Sequence, residues 1–171
     1  MRLALLNAVV GGYFGTMGVA VAAFATEHGV PGAATPILAA AGVSGLLSGW
    51  LCGMRRAPAH RRLVVASAHL TATAVLLPLA PSAIWLGAAA VLTEAAVPPT
   101  LVALTVLTEQ VVHPAVRAQA FTWNNSAGTA GSALAAFVAG HVADGLGASA
   151  AFVLAPAAGL ALLVLAVAKR P

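Results

Sequence analysis

Charge is what this chain has least of. Only 7% of its 171 residues are Asp, Glu, Lys or Arg, where a soluble domain needs roughly 25% to cover its surface. With 61% hydrophobic residues alongside, that shortage excludes a water-facing exterior and makes a lipid bilayer the expected solvent. Cysteine is nearly absent too: Cys52 stands alone, which excludes a disulfide framework. Acidic residues number four, too few and too scattered to hold a divalent metal, and the five histidines (28, 60, 69, 113 and 141) show no metal-ligand spacing. A phosphate-cradling glycine loop is also missing, so neither a metal nor a cofactor is expected. The eight cations exceed the four anions, but they are too few and too dispersed for a nucleic-acid-binding stripe.

What is present is apolar sequence in long runs. A spanning helix takes about 20 mostly apolar residues, and six candidates occur, at 3–26, 34–54, 63–80, 83–107, 118–143 and 147–168. Between them lie "TEHGVPGA", "RRAPAHRR", "LAPS", "TEQVVHPAVR" and "DGLG", which carry most of the prolines and charges. With the N-terminus inside, the cytoplasmic segments hold Arg2; Arg55, Arg56, Arg61 and Arg62; Arg117; and Lys169 and Arg170. All eight cations then fall inside, as the positive-inside bias requires. Both termini are therefore expected in the cytoplasm. Met1-Arg2, the first apolar run and Ala23-Phe24-Ala25 have the outline of a cleavable leader. The run is too long for one, however, and Gly11, Gly12, Gly15 and Gly18 break it, so the segment is expected to stay as a span.

Helices in lipid gain nothing by hiding leucine from equally apolar tails; they associate through small residues that let backbones approach. Residues 118–143 carry such a ladder in Asn124, Gly128, Ser132, Ala136 and Gly140. The second span repeats the step with Ala41, Gly45, Gly49 and Gly53, and the first has Gly11 and Gly15. These positions are expected to pack helix on helix.

An ionisable group within a span is costly and so a candidate for function. Glu94 is the clearest, in the fourth span and four residues before Pro98-Pro99. Two prolines must interrupt the helical hydrogen-bond ladder, and a broken helix at that depth is tolerated only inside protein or beside a cavity. Glu94 reads as a proton-coupling or cation-binding group, or else as a structural hydrogen-bonding one. Asn7, Thr93, Asn124 and Asn125 can line a polar pathway or lock helices together. His69 reads as a structural histidine, while Trp50 and Trp85 read as interface anchors. "GVSG", residues 42–45, resembles the serine motif of rhomboid proteases. In that family the serine lies late in the bundle and its histidine two spans on. Ser44 is in the second span and the fourth has no histidine, so no enzyme is expected.

Three stretches together resemble the C-terminal half of a major facilitator superfamily transporter of the actinobacterial efflux type. "GYFGTMGVAVAAFATEHGVPG" is similar to its seventh span and outer loop, and "GWLCGMRRAPAHRRL" to its arginine-rich eight-to-nine loop. "RAQAFTWNNSAGTAGSALAAFVAGHVADGLGASAAF" is similar to the eleventh span entering the twelfth, with Gly140, Asp144 and Gly147 in a GxxxDxxG pattern. The resemblance implies an all-α integral membrane protein of six helices arranged as two inverted three-helix repeats, 1–81 and 82–171. It also implies residence in a bacterial plasma membrane and transport of a small organic solute, as proton-coupled efflux. The first, second, fourth and fifth spans would face the cavity. The loop lacks the aspartate of the family's signature; Gly53 is nearest to its position. A full transporter is twice this length, so the implied partner is an N-terminal half or a second copy. The alternatives are an accessory subunit or scaffold without transport, or an inactive truncated transporter.

Overall fold

A computed structural model of the chain describes residues 1–54 and 57–168. Arg55, Arg56, Lys169 and Arg170, assigned above to cytoplasmic segments, lie outside the described residues. The chain begins with an uninterrupted helix, α1 (Arg2–Glu27), free of proline along its length. It ends where Gly29 takes φ +69°, a conformation that costs glycine nothing. The amides of Gly29 and Val30 turn back to the carbonyls of Thr26 and Ala25, closing the two-bond C-terminal cap typical of helix ends. A short turn at Pro31–Ala33 leads into α2 (Ala34–Met54), and α3 follows at Ala59–Ala74. Ser82 then caps α4 (Ala83–Glu94) by accepting from the Trp85 amide at 3.3 Å. α5 (Val97–Val111) continues after two residues, α6 (Arg117–Leu146) is the longest helix, and α7 (Ala148–Ala151) and α8 (Leu154–Val167) complete the chain. No strand occurs among the described residues.

Four helical stretches are long and apolar enough to cross a membrane: Arg2–Glu27, Pro31–Met54, Ala83–Val111 and Ala148–Val167. The expected third and fifth spans stand apart from these four. α3 has 16 residues and gives way to turns after Ala74 instead of running to residue 80. α6 has 30 residues, but alanine, glycine, serine, threonine and asparagine make it only weakly apolar.

α1 lies at the centre. It packs along α6 and against α8, α3 lies between α8 and α5, and α2 rests on α4 and α5. The buried side chains include Tyr13, Phe24, Phe152, Leu70, Leu86 and Leu162, with Phe24 and Phe152 edge to face at 6.2 Å. The outer surface is apolar as well: Ile84 is 88% exposed, Leu46 76% and Phe137 70%. Exposed apolar area on that scale is a liability in water and suits hydrocarbon.

The ladder residues divide according to where helices cross. A methyl group on Gly11 or Gly15 would overlap the backbone carbonyl of Gly128 or Ser132, and one on Gly131 would overlap that of Ala8. Here α1 and α6 touch backbone to backbone. On α2, Gly45 and Gly49 meet Pro98. The ladder was expected to continue through Gly53, but a methyl there would meet no atom within 4 Å, and at Gly140 it would reach only Val19. Straight helices crossing at an angle touch over a few turns and then diverge, so the outer steps of each ladder lose their partner.

Candidate functional site

The site is built around the interruption between α4 and α5. In an unbroken helix the carbonyls of Glu94 and Ala95 would accept from the amides of residues 98 and 99. Both are proline and have no N–H. The chain therefore turns at Ala95 and Ala96 and restarts at Val97, with the two prolines in the first turn of α5, where a missing N–H is harmless. The Ala96 amide bonds back to Thr93 and not to Leu92, which leaves the Leu92 carbonyl without its helical partner.

One neighbouring helix supplies the missing donor at Leu92, and another adds a donor at Val91, whose carbonyl the Ala95 amide already reaches. His69 on α3 donates from Nε2 to the Leu92 carbonyl at 2.9 Å, and Ser44 on α2 donates to the Val91 carbonyl at 2.7 Å. Both residues thus have structural work at the elbow: the serine of "GVSG" is bonded to backbone, and the histidine braces the end of α4. Thr93 is buried and folds its hydroxyl back onto the Ala89 carbonyl.

The Glu94 side chain turns toward α1, where the fully buried Tyr13 donates its hydroxyl to Oε2 at 3.1 Å. Gly45 closes the other side. A methyl placed there would lie 3.5 Å from both Glu94 Cγ and Pro98 Cγ, so α2 rests directly on the elbow. A carboxyl on a broken helix is therefore held between two neighbouring helices, with a single phenol as its hydrogen-bond donor among the described side chains.

The three asparagines gather elsewhere. Asn7, Asn124 and Asn125 share the wall of an open groove of about 490 Å³ between α1, α5 and α6, floored by Gly128 and Ser132. Asn124 is buried and donates from Nδ2 to Thr108 Oγ1 at 3.0 Å, locking α6 to α5. Asn7 donates to its own helix at Leu3, while Asn125 is exposed. Glu94 and Thr93 do not line this groove. The two regions meet through α1, whose Val10 and Phe14 line the groove on either side of Tyr13 in sequence. Of the arginines expected in the cytoplasmic loop, Arg61 and Arg62 lie in the first turn of α3, Arg61 exposed and Arg62 partly buried.

Reading the sequence missed Tyr13. The available signal was that it is the only tyrosine in the chain, set inside an apolar span where a phenol O–H needs an acceptor. No protein-family model matches the chain, and no curated protein matches it.

Proposed function

We propose that this chain is a half-length secondary transporter of the major facilitator type that moves a small organic solute by proton-coupled efflux. It would sit in a bacterial plasma membrane as six spans, in two inverted repeats divided near residue 81, with both termini cytoplasmic. The observation that carries the reading is the Glu94–Tyr13 contact at the α4–α5 interruption. A broken helix next to a sequestered carboxyl is what coupling sites within a membrane require. As a carboxylate, Glu94 only accepts, and it holds the Tyr13 hydroxyl. Once protonated it also donates, and its demand for that hydroxyl falls. Because Tyr13 rides on α1, the protonation state of α4 is communicated to the helix lining the asparagine groove, where solute would bind opposite the partner half.

The test is Glu94→Gln in the complex reconstituted into liposomes, with a trapped pH-sensitive dye and a panel of fluorescent organic solutes. Proton-coupled flux is expected to vanish while expression and assembly stay unchanged. Unaltered coupled flux would make Glu94 a structural residue and remove the basis of the reading.

A second reading, an accessory subunit without transport of its own, draws on the polar groups already committed to packing. Ser44, His69 and Asn124 all spend their hydrogen bonds joining one helix to another. Under that reading the chain moves no protons without a transporting partner, and Glu94→Gln leaves the coupled flux of a complex that has one unchanged.

A further inference from the structure

α2 rests on α4 and α5, whereas α3 packs against α5 and α8. Between α2 and α3 the helices part around a cleft of about 480 Å³. Leu51 and Cys52 form one wall and Val65 and His69 the other, with Ala96 and Pro99 of the elbow at the back. Arg61 and Arg62, in the first turn of α3, stand at its mouth. From Arg61 to His69 is eight residues, or roughly 12 Å at 1.5 Å per residue. That nearly equals one leaflet, about half of a 30 Å hydrocarbon core.

The chemistry along the cleft is graded. Its inner polar groups are already used: Ser48 donates to Gly45 and His69 to Leu92. To an occupant, the inner part therefore presents hydrocarbon surface. Arg62 is engaged in a contact of its own. Arg61 is exposed and makes no hydrogen bond among the described residues. The unengaged Arg61 guanidinium at one end and an apolar cleft running roughly 12 Å inward match a molecule with an anionic head and a single chain directed inward. Arginine also suits phosphate particularly well, because its planar fork can bind two oxygens at once.

We infer that the cleft between α2 and α3 seats one acyl chain of an anionic phospholipid, with Arg61 holding its phosphate at the mouth. The site rests on the membrane reading of the protein but not on transport, and the inner end of the acyl chain would lie against Ala96 and Pro99 of the elbow.

Cys52, the only cysteine in the chain, provides a reporter on the cleft wall. The full chain is purified in detergent, and the rate at which a small maleimide labels Cys52 is followed as lipid is added. With phosphatidylglycerol at about ten times its Kd, roughly a tenth of the sites stay open, so labelling slows about tenfold. Phosphatidylcholine and inorganic phosphate should leave the rate unchanged. Arg61→Gln should require about fivefold more phosphatidylglycerol for the same protection, and Arg61→Lys should retain most of it. Equal protection by phosphatidylcholine, or by phosphate alone, overturns the proposal. So does undiminished phosphatidylglycerol protection in the Arg61→Gln variant, or a Cys52 that never labels in lipid-free micelles. If the variants aggregate, the comparison of lipids on the wild type still decides. Flux through the Glu94 variant is read separately, so the lipid site and the transport reading fail independently.

Discussion

Tyr13 and Glu94 lie 81 positions apart in sequence, and their contact gives the site its chemical character. Replacing Tyr13 by phenylalanine keeps the buried ring and removes only the donor. A hydrogen bond to a charged group contributes roughly 1.5–3 kcal/mol. If that contact works during coupling, Tyr13→Phe should therefore slow proton-coupled flux about ten- to a hundredfold. Initial rates in proteoliposomes give the measurement, and a thermal unfolding midpoint close to wild type shows that the ring still packs. A variant with wild-type rates would detach Tyr13 from the mechanism. Asn124 illustrates the opposite case. Its position in a span left open a pathway residue or a helix lock, and its amide donates to Thr108 across α5 and α6 while the residue also lines the groove. Among the residues singled out at the start, Asn125 is the exposed one that faces the groove with its side chain toward solvent or lipid.

At the scale of helices, the tightest seam joins α1 to α6, where carbonyls of one helix occupy the space a side chain would fill on the other. Gly131→Ala would drive a methyl into the Ala8 carbonyl, and overpacking of this kind costs about 1–3 kcal/mol. Gly18→Ala, on the open face of α1 with nothing within 4 Å, should be neutral or slightly stabilising. Unfolding of the two variants in the same detergent should separate them; equal midpoints would mean the seam can open without cost. The sequence pattern made much of this legible. Gly11, Gly15 and Gly128 announced close approach by their spacing, and Pro98-Pro99 announced the elbow because a proline has no N–H to offer. Two things were not legible. Which glycines of a ladder find a partner depends on the crossing point, so Gly45 and Gly49 meet Pro98 while Gly53 meets nothing. The rotation of α1 about its axis, which aims Tyr13 at α4, is likewise set by packing across the bundle and leaves no periodic mark. The weakly apolar α6 shows the same limit from another side: residues chosen for backbone contact read poorly on a hydropathy scale, although they suit a helix that packs backbone to backbone on one neighbour.

For the molecule as a whole, the outward faces of α2 and α6 carry large apolar side chains, Leu46, Trp50, Leu134 and Phe137 among them. Under the transporter reading, part of this surface meets a partner half. The detergent-solubilised assembly should then contain at least two polypeptides, a protein mass of twice the 16.8 kDa chain or more, by light scattering corrected for bound detergent. A stable monomer would sink the idea that this chain transports by itself.

The seam between α1 and α6 also bears on how the protein is made. Arg117, the start of α6, lies 90 positions after Glu27, the end of α1. At roughly 5–20 residues per second, a ribosome needs on the order of 5 to 20 seconds to cover that interval. Throughout that time α1 has been synthesised, but the helix that fills its glycine notches does not yet exist. α1 must wait for α6, and a nascent chain stalled before residue 117 would present its most closely fitted surface to any other helix nearby.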